Sequence, residues 1–257
     1  MKPLVAISGK GGTGKTTLAA LMVEQLIACG VRPVLAVDAD PNACLAELLG
    51  VQAPGTIAEL KEATKPAQDK PGAMPKALLL EKGLNEILAE GQGFDLLTRG
   101  RPEGPGCYCY VNAMLKEGLK RLTRNYAATV IDNQAGMEHI SRLVAANIDA
   151  LLVVAEPTAP AARAARSILE LSRALPMEVG RRILVWNKVR GGTVPEAAAA
   201  AVNEADFTGV IHLPWDDRLA EVYTQGGKLS IGAAEVPELG KLLHMCGLSG
   251  STGAAPK

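Results

Sequence analysis

The stretch SGKGGTGKTT, Ser8 to Thr17, constrains this 257-residue chain more than any other. Gly9, Gly14, Lys15 and Thr16 match the phosphate-binding pattern G-x-x-x-x-G-K-[ST]. That pattern has physical content only where a strand runs into a helix. There, glycines let backbone N–H groups turn inward around phosphate, and the helix N-terminus adds a favourable dipole. Val5 to Ser8 reads as the strand and Lys15 to Cys29 as the helix. Gly9, Gly11, Gly12, Thr13, Gly14 and Thr17 then form the loop around the phosphates. Lys15 is expected to reach the β- and γ-phosphates, and the Thr16 hydroxyl to ligate Mg2+.

Beyond this loop, apolar runs alternate with helix-like segments. Val34–Val37, Phe94–Thr98, Thr129–Asp132, Leu151–Ala155, Ile183–Asn187 and Val210–Leu213 read as further strands. Helical periodicity resumes near Asn42 and over Lys76 to Glu90, across a Pro- and Lys-rich connection at Lys65 to Pro75. Ala197–Ala201 is helical by propensity. Continuous apolar strands separated by helices imply an α/β fold with a mostly parallel central sheet, covered by helices on both faces. A single P-loop NTPase domain is expected over residues 1–248, with a disordered tail at 249–257. Only 3% of residues are aromatic, so the core must be built from Ala, Leu, Val and Ile.

Further motifs agree with the first. With its early lysine, Lys10, KGGTGKTT resembles the deviant Walker A motif of the MinD/ParA/nitrogenase-iron-protein group of dimeric ATPases. The resemblance implies that Lys10 reaches across a two-fold interface to the partner's nucleotide. VDADP, Val37 to Pro41, resembles the group's switch I, in which Asp40 orients the attacking water. Asp38 either lies near the Mg2+ shell or caps a helix. VIDNQAG, Val130 to Gly136, puts Asp132 at the end of a buried strand, suited to holding Mg2+ through water. Gly136 is expected to present its N–H to the γ-phosphate. In VWNKV, Asn187 ends a strand where the resemblance puts adenine, and Pro214 of HLPWDD is expected to wall the base. The resemblance runs from Met1 to about Leu243 and implies a Mg2+-dependent ATP hydrolase using Lys10, Lys15 and Asp40.

Lys plus Arg and Asp plus Glu balance at 27 each, which excludes the basic field of a non-specific DNA binder. No run approaches the roughly 18 apolar residues of a membrane span, and the N-terminus lacks a signal h-region. The expectation is a cytoplasmic protein bound to neither nucleic acid nor membrane. Five cysteines in a reducing compartment argue against disulfides. Cys29, Cys44 and Cys246 read as buried helix thiols. His139 and His212 read as ordinary hydrogen-bonded residues, and His244 as a surface residue of the last helix.

Cys107 and Cys109 differ, because GPGCYCYVN sets them one residue apart in what reads as a Gly- and Pro-rich loop. Two thiolates are half of a four-ligand metal site, and a two-fold dimer would supply the other half. RPEGPGCYCYVN and DNQAGMEHISR look like the CooC-type nickel-insertion ATPases, which include AcsF-like members. That resemblance implies one Ni2+, or Zn2+, between the C-x-C motifs of a homodimer formed on nucleotide or metal binding. The client would be carbon monoxide dehydrogenase or acetyl-CoA synthase. Gln134 departs from the acidic or small residue expected there. Two alternatives stand: a dimeric Fe–S electron-transfer ATPase like nitrogenase iron protein, and a ParA- or MinD-like positioning ATPase.

Overall fold

The computed structural model describes residues 2–64, 76–101, 107–134, 147–175, 178–229 and 235–248. The Lys65–Pro75 connection, Gly136, His139 and the 249–257 tail lie outside the described residues.

The strands are β1 (Leu4–Gly9), β2 (Val34–Asp38), β3 (Ala89–Glu90), β4 (Phe94–Thr98), β5 (Ala128–Asp132), β6 (Ile148–Ala155), β7 (Val179–Val189) and β8 (Gly209–Pro214). They form one sheet in the order β3-β4-β2-β5-β1-β6-β7-β8. Every pairing is parallel except β3 with β4. The α-helices among the described residues are α1 (Lys15–Ala28), α2 (Leu45–Leu49), α3 (Ile57–Thr64), α4 (Lys76–Ile87), α5 (Cys107–Leu122), α6 (Ala159–Ala174), α7 (Glu196–Ala199), α8 (Asp217–Gln225) and α9 (Glu238–Met245).

Strand residues alternate between two apolar cores, as period-2 geometry requires. Val5, Ile7, Val34, Ala36, Leu96 and Val130 pack beneath α1, with α2, α8 and α9 on the same face. Leu4, Ala6, Leu35, Val37, Leu97 and Ile131 pack on the other face, against α3 to α7. α1 is buried along most of its length, from Leu18 through Val23 and again at Leu26. α3 opens with a capping box: Thr56 N donates to Glu59 Oε2 at 2.8 Å, and Glu59 N donates to Thr56 Oγ1 at 3.2 Å.

Three expectations need correction. The helix expected to run from Lys76 to Glu90 stops at Ile87, because Ala89 and Glu90 pair with Leu96 and Asp95 as an antiparallel edge. Cys107 and Cys109 do not sit in a loop: they open α5, a 16-residue helix anchored on the sheet by Met114, Leu119 and Leu122. Of the three cysteines read as buried, only Cys246 is. Cys29 caps the end of α1 and Cys44 precedes α2, where both are exposed.

Candidate nucleotide site

The site lies at the carboxyl ends of the parallel strands, where open α/β sheets place their ligands. β1 ends at Gly9, and the chain turns through Lys10–Gly14 into α1. Two glycines are obligatory for separate reasons. A Cβ at Gly9 would stand 2.3 Å from the Val154 carbonyl oxygen of β6. Gly14 has φ of +89°, and a Cβ there would meet Asn187 Nδ2 at 2.4 Å. Gly11 and Gly12, by contrast, face open space.

Gly14 offers α1 no side-chain cap, and no acidic residue occupies its first turn. The N–H groups there remain available to an anion, with the helix dipole behind them. Thr13 and Lys15 are buried, and both donate to the Lys10 carbonyl, Oγ1 at 2.9 Å and Nζ at 3.2 Å. Burial holds the Lys15 ammonium below its ordinary pKa, against the opposing pull of Asp132 and Asp40. The Lys10 side chain is exposed.

The end of β7 clamps the loop from outside. Asn187 Nδ2 donates to the Thr13 carbonyl at 2.8 Å, and Lys188 Nζ donates to the Gly12 carbonyl at 2.7 Å. Lys188 also pairs with Glu156 at 2.6 Å. Its φ of +62° coincides with the irregular register between Trp186 and Val189. Two successive carbonyls of the loop are thereby held, and Thr13 N donates back to the Lys10 carbonyl at 3.4 Å. Pro214 is exposed at the end of β8, opposite Val189.

Thr98, Asp38 and Asp132 occupy one register level on β4, β2 and β5, all at 1% exposure or less. Strand alternation turns them to the α1 face. Asp38 takes the capping role. Its Oδ2 accepts from Leu45 N at 2.8 Å, capping α2, and its Oδ1 accepts from Asp40 N at 3.1 Å. Burial nevertheless pushes its carboxyl up to about 6, against the two backbone hydrogen bonds, and the Asp40 charge adds to the rise. Asp132 goes further, to about 7, chiefly by burial. The Thr16 hydroxyl and Lys15 pull it down while Asp38 and Asp40 push it up. Thr16 is close enough to exert that effect, yet neither Asp132 oxygen has a partner in hydrogen-bond geometry.

An orphaned buried carboxylate facing a threonine hydroxyl fits Mg2+, a hard cation that takes oxygen ligands and keeps several waters. Thr16 would ligate it and Asp132 would hold its water shell. Asp40 is half-buried at the rim, where its Oδ1 accepts from Asn42 N at 2.9 Å. Among the described residues no three His, Cys, Asp or Glu side chains cluster as a further metal site. His212 and His244 are exposed on β8 and α9.

Sequence reasoning missed Lys188, Glu156 and Arg99. Lys188 directly follows Asn187, and Arg99 directly follows a buried apolar strand, which is an unusual place for a cation. Glu156 left no local signal, since only the fold brings it to Lys188.

The model of the CobQ/CobB/MinD/ParA nucleotide-binding domain matches residues 4–229. An uncharacterised ATP-binding protein of Methanocaldococcus jannaschii is 35% identical over 229 residues, 87% of this chain and 88% of the relative. The carbon monoxide dehydrogenase accessory protein CooC of Rhodospirillum rubrum is 32% identical over 183 residues, 66% of this chain and 69% of its own. In architecture the chain is similar to the septum site-determining protein MinD of Pyrococcus horikoshii, solved with Mg-ADP. That match has a TM-score of 0.61 at 22% identity, covering 97% of this chain and 95% of the other.

Proposed function

The chain belongs to the CobQ/CobB/MinD/ParA nucleotide-binding family and is a P-loop ATPase, and from that premise we propose that it is a homodimeric nickel-delivery ATPase. Its substrates are ATP and one Ni2+, its client carbon monoxide dehydrogenase or acetyl-CoA synthase. The observation that carries the reading is the position of the C-x-C. Cys107 and Cys109 open α5, the first described helix after β4, and β4 is the strand paired to β2 and its Asp38. The first turn of a helix offers unpaired backbone N–H groups and the positive end of a dipole, a setting that favours anionic sulfur. Similarity to CooC supports the same reading.

In this account the loop amides and Lys15 bind the triphosphate, and Asp40 orients the attacking water. Gly136 adds an N–H to the γ-phosphate, and Asn187 and Pro214 hold adenine. Lys10 acts on the partner's nucleotide. Mg2+ bound by Thr16 and Asp132 would offset charge on the β- and γ-phosphates. The dimer interface contains both nucleotides and all four cysteines, so closure on ATP changes the spacing of the sulfurs. Metal affinity and nucleotide state are then reciprocally coupled. Zn2+ competes for the same thiolates.

The test is delivery itself. Nickel-free client enzyme should gain activity faster with this protein, Ni2+ and ATP than with Ni2+ alone, and the gain should vanish in Lys10→Ala. Equal activation with and without the protein would refute nickel delivery for that client.

A positioning ATPase of ParA or MinD type is the competing reading, favoured by the family match. Against it, α9 buries Leu239, Leu242 and Leu243 in the protein's own core, leaving that apolar face unavailable to a membrane. No helix among the described residues is long and apolar enough to cross one. Co-sedimentation with anionic vesicles or DNA only in the presence of ATP would favour positioning.

A further inference from the structure

Arg99 follows the last residue of β4 and is only 1% exposed, among the largest fully buried side chains described. A guanidinium is costly to remove from water, so a buried one must be held by polar contacts, and Arg99 makes several with the neighbouring main chain. The Arg99 N–H donates to the Asp38 carbonyl at 2.9 Å, and its carbonyl accepts from Ala58 N, in α3, at 3.1 Å. Its Nη1 donates to the Ala39 carbonyl at 3.4 Å. Ala39 N in turn donates to the Asp132 carbonyl at 2.9 Å. The peptide groups on both sides of Ala39 are therefore fixed, one by β5 and the other by two bonds, Arg99 to its carbonyl and the Asp40 N–H to Asp38 Oδ1 at 3.1 Å. The next residue is Asp40. Strand alternation puts Thr98 on the nucleotide face and Arg99 on the opposite one, with Ala39, so the guanidinium works from behind the site.

We propose that Arg99 is a positioning residue for ATP hydrolysis, holding the main chain of Ala39 so that Asp40 is presented to the attacking water. Arg99 reaches the Ala39 carbonyl from a neighbouring strand end, across the line along which the chain leaves β2. Without the guanidinium, only the Asp40 N–H bond to Asp38 Oδ1 would restrain the Ala39–Asp40 peptide, which would rotate more freely and carry the Asp40 carboxylate with it. Small displacements of a water-orienting group cost rate without costing binding, because the phosphate contacts lie elsewhere. The proposal goes beyond nickel delivery and rests on Asp40 as the water-orienting acid.

The experiment measures steady-state hydrolysis and affinity for a non-hydrolysable ATP analogue in Arg99→Met, Arg99→Lys and Asp40→Ala. Arg99→Met should lower kcat about tenfold or more, approaching the roughly hundredfold cost of a misplaced catalytic group. Analogue affinity should change less than about threefold. Arg99→Lys, which restores a cationic donor, should recover part of kcat. In an Asp40→Ala background, single-turnover assays should show no further loss from Arg99→Met, since the two substitutions remove one function. Wild-type kcat in Arg99→Met, or equal losses of kcat and affinity, would overturn the proposal. So would failure of both Arg99 variants to fold, which would make the residue a stability element. Normal turnover by Asp40→Ala would instead overturn the assignment of Asp40.

Discussion

Asp38 and Asp132 stand opposite one another at the same register step of β2 and β5, both excluded from solvent. Burial raises both carboxyls, to about 6 and about 7. An acid whose pKa is higher in the folded state than in the unfolded one favours folding while both states are protonated. That contribution is lost as pH rises from the ordinary carboxylate range through the folded pKa. Metal-free protein should therefore melt at a higher temperature at pH 5 than at pH 8. Asp132→Asn should flatten the difference while abolishing Mg2+-dependent hydrolysis. Because Mg2+ requires the ionised acids, its binding should release protons and tighten between pH 6 and pH 8, measurable by calorimetry in buffers of different ionisation enthalpy.

Lys15→Ala and Asp40→Ala should both end turnover, but by different routes. Lys15 is a buried cation in the P-loop and, in the proposed reading, faces the phosphates, so its loss should weaken nucleotide binding itself. Asp40 lies half-buried at the rim and, in the proposed reading, orients water, so Asp40→Ala should retain ATP and accumulate as a stable dimer. Size-exclusion chromatography with bound-nucleotide analysis separates the two outcomes.

Gly9→Ala and Gly11→Ala offer a contrast within three residues. The added methyl at Gly9 meets a main-chain carbonyl of β6, which no rotamer change can relieve. It should cost about 2 kcal/mol or more of folding stability. At Gly11 the methyl enters open space, so the melting temperature should hold while ATP affinity falls.

Much of the arrangement was legible in the chain because its strands are mostly apolar, unbroken from Leu4 to Ile7 and from Val34 to Val37. Leu4–Gly9, Val34–Asp38 and Phe94–Thr98 fall within a residue or so of their expected bounds. The beginning of α5 was not legible. Gly104, Pro105 and Gly106 signal a turn, and the residues that anchor the helix, Met114, Leu119 and Leu122, come well after its first turn. Nor did local sequence report the exposure of Cys44. It follows Ala43, whose φ is +53°, and that turn carries the thiol outward before α2 begins. The clamp on the P-loop was invisible for a related reason: Lys188 and Gly12 are 176 positions apart, and only the sheet order brings them together.

Lys188→Met tests that clamp. It removes the donor to the Gly12 carbonyl and the pairing with Glu156, leaving the Asn187 bond to Thr13 in place. The loop should become less pre-organised, and ATP should bind roughly tenfold more weakly, equivalent to about 1.4 kcal/mol. Glu156→Gln should have a smaller effect, because the lysine keeps its carbonyl partner. Titration calorimetry with ATP gives both values.

Nickel delivery depends most on the C-x-C at the start of α5. Native mass spectrometry of the protein with Ni2+, with and without an ATP analogue, tests it most directly. The expected species is a dimer carrying one Ni2+, absent in the Cys107→Ser, Cys109→Ser double variant, which should still bind ATP through its intact P-loop. The metal-bound fraction should change when the analogue is added and fall at low pH, because the thiols must give up protons. Cys29→Ser, Cys44→Ser and Cys246→Ser should keep the ion. One ion per monomer, or unchanged loading in the double variant, would contradict a metal site shared between subunits and the nickel-delivery function built on it.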